Sequence, residues 1–117
     1  MLKQSKRIHG RLVLKRILDE GTSKAGPFLN VITLENTLGH TRYAALVGKK
    51  LARTAVVRNH KRRQIYEIIR LLEKNKIICE DQNLDIVLIA RSATMKSDFT
   101  TLYRGLEKEL TFLQASL

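Results

Sequence analysis

Residues 84–90, Leu-Asp-Ile-Val-Leu-Ile-Ala, leave this chain the fewest choices. An almost unbroken apolar run of that length, bounded by polar residues, suits a central strand covered on both faces. Such a strand needs a sheet around it and other elements over the sheet. The C-terminal segment supplies one cover. Phe99, Leu102, Tyr103, Leu106, Leu110 and Leu113 recur at helical spacing, which predicts a core-facing amphipathic helix with Ser97 as its N-cap.

The remaining elements follow from periodicity and punctuation. Leu14, Ile17 and Leu18 place a short helix over 10–20, stopped by Gly21, and Gly26-Pro27 then breaks the chain. Phe28 to Leu34 reads as a strand with Phe28, Asn30, Ile32 and Leu34 on one face. Thr41 to Gly48 reads as another, with Tyr43, Ala45 and Val47 opposite Arg42, Ala44 and Leu46. The shortness of the polar connection between them predicts that the second runs antiparallel to the first. After a basic connector, Lys49 to Thr54, a long helix runs to about Glu73 on the stripe Ile65, Ile68, Ile69, Leu72. Helices on a small sheet make an α/β (α+β) two-layer sandwich, and 117 residues suit a single domain, 1–117.

Charge limits the partners. The chain carries a net +11, and such a field favours a polyanion. Residues 41–70 hold nine Lys and Arg against Glu67 alone, whereas residues 71–117 hold six basic and seven acidic residues. No apolar run approaches the ~20 residues of a membrane span and the N-terminus lacks a secretion signal, so the expected setting is cytoplasmic, with no membrane partner. The single cysteine, Cys79, beside Ile77 and Ile78, reads as a small buried hydrophobe.

The basic residues fall on a pattern. At 100° per residue, Asn59, Arg63, Tyr66 and Arg70 line one side of the long helix, away from its isoleucines. Guanidiniums, a carboxamide and a phenol on one line suit RNA, because Arg forks bind phosphate and a ring can stack on an unpaired base. A basic run on a helix is usually only a solvated face. Here, however, acidic residues are too few for salt bridges to account for the charge, and Lys49, Lys50 and Arg53 lie directly upstream. Arg58 and Lys61 fall on the apolar side, which predicts that the start of the helix projects from the core.

Together these residues resemble the signature of the ribonuclease P protein family. The signature is a Lys-Lys pair, here Lys49-Lys50, then Ala-Val-x-Arg-Asn, here Ala55 to Asn59, then a basic pair, here Arg62-Arg63. Arg7-Ile8, Glu20-Gly21 and the Asp85 to Arg91 segment fit the same order. The resemblance implies the order αβββαβα in a small mixed sheet with a left-handed β-α-β crossover, against the usual right-handed rule. It implies a protein subunit of an endoribonuclease that removes the 5′ leader of precursor tRNA. Catalysis and magnesium belong mainly to the RNA subunit, and no obligate protein partner is implied. The RNA-binding set is then Lys49, Lys50, Arg53, Arg58, Asn59, His60, Lys61, Arg62, Arg63, Tyr66 and Arg70, and a cleft for the leader involves Leu14, Leu18, Phe28 and Ile32. The family commonly has aromatics where this chain has Leu14, Leu18 and, nearby, Ile32, and an Arg where it has Tyr66.

The residues themselves offer no stand-alone active site. His9, His40 and His60 are scattered, Asp81 and Asp85 precede a buried strand and suit turn and strand-edge roles, and Ser92 and Ser97 lie in no nucleophile motif. The competing readings are a ribosomal or other structural RNA-binding protein, a DNA binder and a metal nuclease. No second helix packs next in sequence as a helix-turn-helix requires, and a nuclease would need a carboxylate cluster.

Overall fold

The segment 84–90 is the strand β4, Leu84–Ala90, and all of it except Ile89 is buried. The computed structural model describes residues 2–115. Before β4 come a 3-10 turn at Gln4–Lys6, α1 (Arg11–Glu20), β1 (Thr22–Ala25), β2 (Leu29–Glu35), β3 (Arg42–Leu46) and α2 (Ala55–Lys74). After it come the short α3 (Ser92–Lys96) and α4 (Phe99–Ala115). The sheet order is β1-β2-β4-β3. β4 runs antiparallel to β2 and parallel to β3, so α2 is the crossover between a parallel pair.

β3 runs antiparallel to β2, as the short connection implies, because β4 is antiparallel to one and parallel to the other; but β4 lies between them, so the two strands are not hydrogen-bonded to each other. The connection is short because it crosses only one strand, roughly 10 Å from one neighbour to the other. Its hydrogen bonds go to the segment entering β4. The Asn36 amide donates to the Asn83 carbonyl at 2.8 Å, the Thr41 amide to Glu80 at 3.1 Å and the Thr41 hydroxyl to Gln82 at 3.0 Å. These bonds exist only once residues 80–83 have come back beside the loop. β1 is an edge strand with every residue exposed, so it has no apolar alternation by which a sequence pattern reveals a strand.

Alternation sorts the sheet into two faces. Leu29, Val31, Tyr43, Ala45, Ile86 and Leu88 pack beneath α2 and α4, whose Ile65, Ile68, Ile69, Leu72, Leu102 and Leu106 are 0% exposed. This layer is the main core, and truncating one of those leucines to alanine is expected to cost about 2–5 kcal/mol. On the other face α1 sets Ile17 against Ile32, Ala44 and Val87, flanked by the half-buried Ile8, Leu14, Leu34, Leu46 and Ile89. A single ten-residue helix covers the centre of that face and leaves its margins open to solvent. Gly10 starts α1 at φ 97°, a conformation that a residue with a Cβ adopts only at a cost.

Three local expectations change. Phe28 precedes the first residue of β2 and escapes its alternation. Its ring packs against α4, where a Cβ at Gly105 would lie 2.5 Å away. Asp98, not Ser97, caps α4: its carboxylate accepts from the Thr101 amide at 2.8 Å, and that bond holds its pKa below the ordinary value. Ser97 instead ends α3, its hydroxyl donating to the Ala93 carbonyl at 2.7 Å. Cys79 is exposed, because the turn after α2 buries Ile78 and turns its neighbours outward.

Candidate nucleic-acid interface

The basic connector is a folded turn that presents cations. Leu51 and Ala52 donate their amides to the Gly48 carbonyl at 3.1 and 3.3 Å, which leaves Lys49, Lys50 and Arg53 exposed. The Thr54 hydroxyl then caps α2 by accepting from the Val57 amide at 3.4 Å. Beyond the cap, Val56 is 79% exposed, so the first turn of α2 does project from the core.

Arg58 and Lys61, however, are drawn inward. Arg58 donates to the carbonyls of Ala52 and Arg53 at 2.8 and 3.0 Å, tying the connector to the helix it precedes. Lys61 is buried, and its ammonium donates to the Ser97 carbonyl at 2.7 Å. Burial lowers its pKa, while Asp98 opposes that shift. Two cations on the apolar side of the helix thus reach backbone carbonyls rather than solvent, which the helical wheel alone does not show.

The outward stripe divides as well. His60 and Arg63 are exposed, and Asn59 and Arg62 are half-buried and hydrogen-bonded to each other. Arg70 pairs with Glu67 one turn back, which lowers the carboxyl pKa. Tyr66 is engaged: its phenol oxygen accepts from the Ala45 amide at 3.0 Å, and the Arg7 guanidinium covers its ring at 5.6 Å from the centroid. The expectation of a ring free to stack on a base fails at Tyr66, because that side chain closes the outer edge of β3. Arg7 is the residue that the sequence reading missed here, since nothing in linear spacing links the N-terminal segment to the middle of α2.

On the opposite side of the sheet, where the leader cleft is expected, α1 covers the centre of an apolar face and leaves half-buried side chains at its margins. Leu14 is half-buried, Leu18 is 39% exposed and Ile32 is 8% exposed beneath α1. Leu14 and Ile32 pack in one cluster on this face, Leu18 stands outside that cluster on the exposed side of α1, and Phe28 lies on the α4 side of the sheet. Asp85 and Arg42, on the cleft face, neutralise each other through bonds of 2.8 and 2.6 Å, and Asn36 donates to the same carboxylate at 2.8 Å. Asp85 is thus engaged in an ion pair inside β4. Among the described residues no three His, Cys, Asp or Glu side chains gather to hold a metal ion. His9 and His40 lie against the carbonyls of Gln4 and Ser5 at 2.9 and 3.0 Å. Among the described residues no helix is long and apolar enough to cross a membrane.

Comparison with known proteins bears on the family and the fold. The family model Ribonuclease P matches residues 2–114. The chain is 35% identical over 94 residues to the ribonuclease P protein component of Thermoanaerobacter sp. (strain X514), covering 80% of this chain and 77% of that one. It is 33% identical over 112 residues to that of Syntrophomonas wolfei, covering 93% and 84%. Among solved structures, the Staphylococcus aureus RNase P protein superposes with a TM-score of 0.78 at 29% identity, covering 92% of this chain and 94% of that one. The Thermotoga maritima RNase P protein does so with 0.76 at 27%, covering 90% and 94%. Family, fold and a cation-rich helix converge: the chain belongs to the ribonuclease P protein family, and its role is that of the protein subunit in tRNA 5′ processing.

Proposed function

We propose that this chain binds the catalytic RNA subunit through Lys49, Lys50, Arg53, His60, Arg62 and Arg63, and receives the 5′ leader of precursor tRNA in the cleft beside α1. The observation that carries the reading is the division of labour along α2. One side of it is fully buried at Ile65, Ile68 and Ile69, while Arg63 and the connector's cations stand exposed, with no carboxylate among the described residues bonded to them. Arg58, Lys61 and Tyr66 position this surface, and Arg70 is a weaker contact because Glu67 already holds it.

Hydrolysis, in this reading, is carried out by the RNA with magnesium ions that the RNA mainly holds, in the cytoplasm and without an obligate protein partner. The protein brings positive charge to a crowded polyanion, which reduces the counterions needed for RNA and substrate to approach. Single-turnover cleavage of a precursor tRNA across magnesium concentrations, with and without the protein, tests this. The protein is expected to lower the magnesium requirement of the RNA and to cut nothing alone. Robust RNA-free cleavage that disappears when a carboxylate is changed would overturn the reading.

A further inference from the structure

Asn30 is a polar residue in the interior of β2, where amides are disfavoured, and it lies on the cleft face beside residues that are otherwise apolar. It is half-buried. In the sheet register it stands opposite Ile89, which in turn stands opposite Leu46. Both neighbours are half-buried at the margin that α1 leaves open. The amide oxygen of Asn30 accepts from the Ser23 hydroxyl on β1 at 3.1 Å. Among the described residues the amide makes no other side-chain hydrogen bond, so its nitrogen is left to face outward partners.

An amide with donors to spare, set among apolar side chains, is a recognition element. The nitrogen supplies two donors, and the oxygen keeps a lone pair after Ser23 is satisfied. An unpaired base laid on Ile89 and Leu46 presents its edge to this amide, and a donor beside an acceptor can pair with that edge in two bonds. The cleft has no aromatic platform at Leu14, Leu18 or Ile32, so stacking on this face cannot supply selectivity, and a hydrogen bond can. We propose that the Asn30 amide, held by Ser23, bonds the edge of one unpaired leader base and makes substrate binding depend on that base's identity. This rests on the leader placement proposed above.

The test uses the holoenzyme reconstituted with its RNA and precursor tRNAs in which each leader position is varied through all four bases. Dissociation constants are measured for the wild type and for Asn30→Val, Asn30→Asp and Ser23→Ala. At one leader position the wild type is expected to separate the best base from the worst by about five- to a hundredfold. Asn30→Val, which suits a strand and should fold as well, flattens that position to within about twofold and leaves mature tRNA binding unchanged. Ser23→Ala reduces the discrimination in part. Asn30→Asp, which accepts only, shifts preference toward bases with an exocyclic amine. Discrimination that survives Asn30→Val, or a wild type that gains affinity from the leader without preference at any position, overturns the role of Asn30 alone. A wild type that gains nothing from any leader overturns the leader placement itself.

Discussion

The Arg7 guanidinium lies over the Tyr66 ring, 5.6 Å from its centroid, and joins the N-terminal segment to the middle of α2. The phenol oxygen on the other side of the joint receives the Ala45 amide. A side chain held at both ends contributes to stability before it contributes to RNA contact. Tyr66→Phe keeps the ring and loses the acceptor, which is expected to cost about 1–2 kcal/mol of stability. RNA affinity at fixed salt should stay within about twofold. Urea unfolding together with RNA titration checks this, and a large affinity loss with unchanged stability would instead make the Tyr66 hydroxyl an RNA contact.

Arg63 and Lys61 should behave in opposite ways although they are two residues apart. Arg63 is exposed and bonded to no carboxylate among the described residues, so Arg63→Ala should weaken RNA binding with little change in unfolding. The slope of log affinity against log salt should flatten by about 0.7–0.9. Lys61→Ala leaves the Ser97 carbonyl without its donor and removes a buried stem, at an expected cost of about 1–3 kcal/mol. Salt-dependent binding of both variants beside their thermal unfolding separates the two roles.

Lys6 binds Glu73 at 2.9 Å and Glu80 at 2.6 Å, and the Tyr43 phenol reaches Glu73 at 3.3 Å. Burial raises the Glu73 pKa against the opposing effect of Lys6, whereas the hydrogen bond from Lys6 lowers that of exposed Glu80. The signs differ. Glu80 has a depressed folded value, so its stabilisation is present above the unfolded value and is lost as pH falls through the folded one. Glu73 has a raised folded value, so its ionisation costs stability as pH rises from the unfolded value through the folded one. Lys6→Met should therefore cost about 2–3 kcal/mol at neutral pH, where it strands the Glu73 carboxylate. It should cost less in acid, where Glu73 is protonated. Urea midpoints at several pH values measure this, and a cost independent of pH would contradict it.

The cleft gives a contrast between Leu18 and Ile32. Leu18 is 39% exposed, so Leu18→Phe places a ring at the surface, where stacking on a base is worth roughly 1–3 kcal/mol. The affinity gain for leader-bearing over mature tRNA should rise. Ile32 lies beneath α1 against Ile17, so Ile32→Tyr overpacks the site and is expected to cost about 1–3 kcal/mol of stability without a comparable gain. Dissociation constants for leaders of increasing length, read beside unfolding curves, test both.

The sequence by itself determined what short-range periodicity and composition can carry. The run 84–90 demanded a doubly covered strand. The isoleucine stripe placed α2, Gly21 ended α1, and the excess of cations in 41–70 pointed to a polyanion. Each of these depends on neighbours within a few turns of chain, so each is written locally. The pairing of β2 with β4 was not, because the bonds of the intervening loop go to residues 80–83 and exist only after the chain returns. The same holds within the site. Lys61 looks like an RNA contact until Ser97 arrives beneath it, and Tyr66 looks like a free ring until Arg7 and Ala45 close on it. Phe28 looks like part of the cleft until the bend at Gly26-Pro27 swings it onto Gly105. Whether a polar side chain faces solvent or a buried carbonyl depends on what packs against it from distant sequence, and only the tertiary structure decides that.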